Sequence, residues 1–147
     1  MDKLALKAFL LKIERESIGK AELNYSEYLE EIKHDWSGVE DIEDHSHVIE
    51  SGEKTFQMES QILDHKKHLE IIDSISFEPM AVVDLGAVVK VNDKFFVVAT
   101  AEPKFKFEGK TFMGISIGAP IYNLLRGKKV GDEFVFNGKT FKINEVH

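Results

Sequence analysis

Ile115-Ser116-Ile117-Gly118-Ala119-Pro120-Ile121-Tyr122-Asn123-Leu124-Leu125-Arg126-Gly127-Lys128-Lys129-Val130-Gly131-Asp132 holds a strand end, a short helix and two turns. Proline is suited to a first helical turn, where its missing N–H leaves no bond unmade, so Pro120 opens the helix. Gly127 closes it, since glycine takes the left-handed conformation that ends helices at little cost. Gly131-Asp132 then turns the chain. These residues read mainly as backbone devices. Ser116 has no base beside it in sequence, which argues against a serine nucleophile.

Downstream, Glu133-Phe134-Val135-Phe136, the turn Asn137-Gly138 and Thr140 to Val146 form a final β-hairpin. Upstream, Ala87-Val88-Val89-Lys90-Val91 and Phe95-Phe96-Val97-Val98-Ala99-Thr100 flank the turn Asn92-Asp93. Between them and the opening stretch, Lys104-Phe105-Lys106-Phe107 alternates with period two, turns at Glu108-Gly109 and continues through Thr111-Phe112-Met113 to Ile115. The expectation is an antiparallel sheet with one short helix, an α+β domain over residues 77–147.

Phe77-Glu78-Pro79 marks its N-terminal boundary, because the residue before proline is pushed out of helical geometry. The preceding residues, 1–76, contain no proline and repeat apolar positions at helical spacing. Leu4, Ala8, Leu11, Ile18, Tyr25, Leu29, Ile32 and Trp36 form one series in steps of three and four, interrupted by Arg15 and Glu22. Gly19 and Asn24-Tyr25-Ser26 weaken it and suggest a kink near residues 17–26. Val48, Ser51, Thr55, Met58, Ile62, His65, Leu69 and Ile72 form a second series. Two such helices joined near residues 37–44 pair as an antiparallel coiled-coil hairpin. Thirty helical residues rise about 45 Å, giving a rod with its tip near residues 37–47.

Composition narrows the function. The chain has 147 residues, 43% of them hydrophobic, and no cysteine. That is enough to fold as one or two small domains, and it excludes a disulfide scaffold, thiolate metal sites and cysteine nucleophiles. No stretch approaches the roughly 18 apolar residues of a membrane span, and the N-terminus carries no signal peptide, so a cytoplasmic setting is expected. The net charge of −7 is unevenly placed. Glu30, Glu31, Asp35, Glu40, Asp41, Glu43, Asp44, Glu50 and Glu53 face only Lys33 in the window 30–53, which carries −8 and leaves +1 for the rest. From residue 84 onward ten bases outnumber seven acids. Such asymmetry suggests different partners for the two ends.

The stretch 115–132 resembles the C-terminal domain of the bacterial Gre transcription elongation factors, which carries an I-S-x-x-x-P-I-x-x-x-L-x-G-K-x-x-G-D pattern followed by a terminal hairpin. The family also places an antiparallel helical hairpin ahead of an FKBP-like α+β domain. The resemblance implies an accessory factor, not an enzyme in its own right, that acts as a monomer on bacterial RNA polymerase. The globular domain would dock at the mouth of the secondary channel and the rod would enter it. Tip carboxylates would then help the polymerase hold a second Mg²⁺ and a water, so that it cleaves the 3′ end of backtracked RNA. Two-metal phosphoryl chemistry of this kind needs hard oxygen ligands for the weakly held ion.

Family cleavage factors carry G-D-L-x-E-N at the tip. Asp41-Ile42-Glu43-Asp44-His45 keeps the order acid, apolar, any, acid, which makes Asp41 and Asp44 the carried-over Mg²⁺ ligands, with Glu43 in reserve. Glu40 stands where the family has glycine. Aligning on Gly38 instead puts Val39 and Ile42 at the acid positions and removes the chemistry. The alternative is therefore a secondary-channel regulator that docks without promoting cleavage. His45-Ser46-His47 with Glu40 and Asp44 is a weak pattern for a transition-metal site, since nothing near completes a rigid set. Lys104, Lys106, Lys110, Lys128 and Lys129, with Phe105 and Phe107 between, could face nucleic acid, but strand alternation favours Phe inward and Lys to solvent. A prolyl isomerase is suggested by fold alone, and no aromatic proline pocket is evident in the sequence.

Overall fold

The computed structural model describes the backbone of residues 1–35 and 44–147, and the side chains of residues 1–34 and 51–147. Helices α1 (Lys3–Asp35) and α2 (Asp44–Ser74) precede strands β1 (Val88–Val91), β2 (Lys94–Ala99), β3 (Glu102–Phe107) and β4 (Lys110–Ser116). Helix α3 (Pro120–Leu125) and strands β5 (Glu133–Phe136) and β6 (Lys139–Val146) follow. The fold is α+β, a long helical pair ahead of a six-stranded sheet with one short helix. Two compact units divide the chain, one of Lys12–Leu69 and one of Met1–Leu11 with Glu70–His147.

Helix α1 begins where the Asp2 carboxylate accepts the Ala5 N–H at 3.0 Å, an N-cap, and has Lys33 and His34 in its last turn, where cations suit the helix dipole. It is one uninterrupted helix of 33 residues, so neither Gly19 nor Asn24-Tyr25-Ser26 breaks it. In the Lys12–Leu69 unit, Glu14 meets His65 and His68, Glu22 meets Lys66 at 3.4 Å, Tyr25 donates to Glu59, and Lys54 lies 4.4 Å from the Tyr28 ring centroid. Partners fall in number on α2 as they rise on α1. The pair is antiparallel, as expected.

The seams divide differently. Along α2, Ser51, Thr55, Met58, Ile62, His65 and Leu69 are half-buried and Ile72 is buried, matching the periodicity; the Val48 side chain lies outside the described residues. Along α1, Leu11, Ile18, Tyr25 and Ile32 face inward, but Leu4, Ala8 and Leu29 are exposed. Lys3, Lys7 and Tyr28 lie inward in place of Leu4, Ala8 and Leu29, and Glu14 and Ala21 in place of Arg15 and Glu22, each one residue earlier. Counting apolar residues chose the wrong alternate row because this seam includes a buried carboxylate.

The sheet order is β3-β4-β2-β1-β6-β5. It is not wholly antiparallel: β2 and β4 run parallel from Lys94↔Thr111 to Ala99↔Ser116. The chain leaves β2, places β3 at the sheet edge and returns through Glu108-Gly109, both at positive φ, so β4 inserts beside β2 in the same direction. Pro103 is tolerated because β3 is an edge strand. Gly114 is required here, since a Cβ would clash with the Thr100 carbonyl oxygen.

Alternation along the strands makes two cores. Val88, Phe95, Val97, Ala99 and Phe112 pack on one face with Leu6, Leu10 and Ile72 from the helix ends and with Ile75 and Phe77 just after α2. Val89, Val91, Val98, Ile115, Phe134 and Ile143 pack with Tyr122 and Leu125 of α3 on the other. Phe105 and Phe107 turn toward the first core and meet Phe9 at centroid distances of 5.8 and 5.2 Å, while Lys104 and Lys106 are exposed. Those rings sit half-buried against the core with the lysines to solvent, as the strand alternation predicts.

Candidate functional site

The quoted stretch becomes the end of β4, helix α3 and the turn into β5. Pro120 is the first residue of α3, and Gly127 follows its end at φ +78, where its N–H donates to the Val83 carbonyl at 2.9 Å. Tyr122 is buried, and its hydroxyl donates to Asp84 Oδ1 at 3.1 Å, tying α3 to the segment before β1. The same oxygen accepts the Leu85 N–H at 2.8 Å. That N–H first, then the Tyr122 hydroxyl and the nearby Arg126, hold the Asp84 carboxyl below its ordinary range, although its modest desolvation opposes them. Burial first, then Asp84, push the Tyr122 phenol up. Each partner thus favours a charged Asp84 facing a neutral Tyr122.

Beside this helix opens a pocket of about 550 Å³, lined by Phe96, Met113, Ile115, Phe134, Phe136 and Phe141. Ser116, Ala119 and Ile121 of the quoted stretch also line it, as do Lys94 and Lys104. An apolar, aromatic floor with few polar groups suits an apolar side chain of a ligand or partner, and the lysines suit a neighbouring acid. The sequence reading found no such pocket. Its aromatics come from three separate strands, β2, β5 and β6, with Met113 and Ile115 added by β4, and only the strand order of the sheet brings them together. Ser116 lines the pocket without becoming part of a catalytic set.

Asp41 and Glu43 lie outside the described residues, as does Glu40. Asp44 is the first residue of α2, and its side chain, like those of His45 and His47, is also outside the described residues. Their donor chemistry is all carboxylate oxygen for Asp41 and Asp44, which suits Mg²⁺.

Sequence reasoning missed Glu14 altogether. His65 Nδ1 lies 2.8 Å from Glu14 Oε2 and His68 Nδ1 lies 3.3 Å from Oε1. The signal was available, since His65 stood in the α2 series, but its partner sat one residue away from the row assigned to α1. Among the described residues no helix is long and apolar enough to cross a membrane.

No protein-family model matches the chain, and no curated protein is significantly similar to it. Among solved structures it is similar to the transcription factor Gfh1, at 19% identity and TM-score 0.37, over 94% of this chain and 93% of that one. Gfh1 of Thermus aquaticus aligns at 16% identity and TM-score 0.33 over 92% of each chain. GreA factor homolog 1 of Thermus thermophilus aligns at 22% identity and TM-score 0.34 over 97% of this chain and 93% of its own. At scores and identities this low the likeness carries no argument about function, which rests on the residues themselves.

Proposed function

We propose that this chain is a Gre-like accessory factor of bacterial RNA polymerase that enters the secondary channel and promotes cleavage of backtracked RNA. The observation that carries the reading is the 115–132 segment, whose family-like pattern folds as strand, proline-opened helix, glycine stop and turn, in a chain whose helices pair antiparallel ahead of the sheet. In this reading the pocket beside α3, with its apolar floor and Lys94 and Lys104, supports docking of the sheet unit on the polymerase. Asp41 and Asp44 would hold Mg²⁺ jointly with the polymerase, and Glu43 stands in reserve. The ion supplies charge neutralisation and an activated water; the chain supplies the carboxylates that keep it in place. The active site belongs to the polymerase.

The second reading is a regulator that occupies the channel without promoting cleavage. Glu40 favours it, because a family glycine position filled by a bulky acid alters the backbone freedom next to Asp41. Stalled, backtracked elongation complexes separate the two. Under the first reading, the native chain with Mg²⁺ shortens the RNA, and Asp41→Ala/Asp44→Ala loses activity by about ten- to a hundredfold. Under the second, RNA length is unchanged, yet the chain competes with a cleavage-competent factor. Neither shortening nor competition would sink both.

A further inference from the structure

Glu14 is fully buried between α1 and α2, its side chain 1% exposed, while the His65 and His68 side chains remain 35% and 30% exposed. The histidines are three residues apart, so they share one face of α2. Each Nδ1 is turned to a different oxygen of the same carboxylate, and the rings stand edge to face at 83°. We propose that Glu14, His65 and His68 form a binding site for a divalent transition ion, Zn²⁺ or one of similar ligand preference, which cross-links α1 to α2.

The donor set is two imidazole nitrogens and one carboxylate oxygen, a combination suited to Zn²⁺ with a water in the fourth position. Mg²⁺ and Ca²⁺, which take oxygen ligands, are disfavoured by the same set. One ligand atom from each residue lies within 4.8 Å of the others. Metal bonds of about 2.0–2.2 Å imply tetrahedral edges near 3.4 Å. Reaching that geometry opens the 2.8 Å His65 contact by about 0.6 Å and turns the two part-exposed rings, so that ligand atoms now as much as 4.8 Å apart close on one point. The buried carboxylate supplies a fixed anionic ligand, and the exposed ring edges supply the route in. An arriving ion takes the Nδ1 lone pair of each ring, and a hydrogen carried there moves to Nε2 of the same ring, which stays a neutral imidazole; a second hydrogen, where a ring carries one, passes to buffer.

The test titrates the metal-free full-length chain with Zn²⁺ by calorimetry, with Co²⁺ as a visible-absorption probe. One ion is expected to bind, raising the unfolding midpoint by about 5–10 °C at a hundredfold excess over Kd. His65→Gln and His68→Gln should each weaken binding at least about tenfold. His45→Ala/His47→Ala, which removes the other histidine pair, should leave this site's affinity unchanged. Co²⁺ should broaden the His65 and His68 ring resonances of the unaltered protein, a readout that needs no variant to fold. Absence of binding, unchanged affinity in the His65 and His68 variants, or broadening confined to His45 and His47 would overturn the proposal and leave a hydrogen-bonded polar seam only.

Discussion

The two compact units bury their interiors in opposite ways. The unit holding the sheet encloses Val88, Val89, Val97, Val98, Leu125 and Ile143 completely, in two layers of aliphatic and aromatic side chains. In the Lys12–Leu69 unit, among the described residues, Glu14 alone is buried. Two paired helices present only one stripe to each other, so most seam residues stay half wet and the helices depend less on packing. A carboxylate can occupy the centre of such a seam because two imidazoles satisfy it there. The sheet unit also buries a carboxylate, Glu102, but on edge strand β3 and outside both apolar layers, where the Thr100 hydroxyl donates to it at 3.1 Å. The sheet unit therefore takes its stability from shape, and the helical pair takes its specificity from polar partners.

The sharpest test of that contrast is truncation in each unit. Phe112 is 1% exposed and stacks on Phe95 and Phe105 at centroid distances of 5.0 and 5.5 Å. Phe112→Ala should destabilise the sheet unit by about 3–5 kcal/mol, the usual cost of emptying an aromatic core site. Ile62→Ala, at a half-buried seam position, should cost only about 1 kcal/mol. Denaturant unfolding monitored by hydrogen exchange in each unit measures both. Equal costs would break the comparison.

A substitution of the opposite kind gives a smaller effect. Glu14→Leu makes the helical seam apolar, and exchanging a buried charge for a packed hydrophobe is often neutral or stabilising. In metal-free buffer it should leave the helical pair unchanged or up to about 2 kcal/mol more stable, since the part-exposed histidines can turn to water. The thermal midpoint of α2 unfolding reads this directly. A loss as large as that of Phe112→Ala would mean that the hydrogen-bonded cluster, not the apolar stripe, holds the helices together.

The same contrast explains what was legible in the sequence. The apolar runs of β1 and β2 about Asn92-Asp93, the alternation of β3, the Asn137-Gly138 turn and Pro120 each encode local geometry, and the strands and α3 lie within a residue or two of where those signals put them. The parallel β2–β4 pairing was not legible, because the placement of β3 at the edge depends on the whole sheet rather than on any turn. Along α2 the small and apolar positions gave the inward face directly. Along α1 the apolar count failed at Leu4 and Leu29, which are exposed, because the inward row includes Lys7 and Glu14. The pocket was hidden for a similar reason: Phe96, Met113 and Phe141 are distant in sequence and adjacent only through strand order. The tip carboxylates Asp41 and Asp44 were readable only by family pattern, since three-residue spacing of acids in a charged window has no distinctive physical signature.

The smallest expected effect concerns how each unit answers to pH. In the sheet unit the Asp84 carboxyl lies below its ordinary value of 3.8, held down chiefly by the Leu85 N–H and then by Tyr122. A depressed folded value means that the unfolded chain binds the proton first. The contribution of Asp84 is therefore complete above the ordinary value and is lost as pH falls through the lower folded one. Tyr122 runs the other way: its raised value means that its contribution is complete below 10.0 and is lost as pH rises through the folded value. Asp84→Asn should flatten the acid limb of stability against pH while leaving the chain's stability at neutral pH slightly lower. Tyr122→Phe should flatten the alkaline limb as well and remove part of the acid one. Urea midpoints at about pH 3, 6 and 11 resolve the two limbs, and the shift at Asp84 should be slight because that carboxylate is largely solvated. An unchanged acid limb in Asp84→Asn would show that the α3 tether is held by Tyr122 packing alone, which would make the sheet unit still more purely a matter of shape.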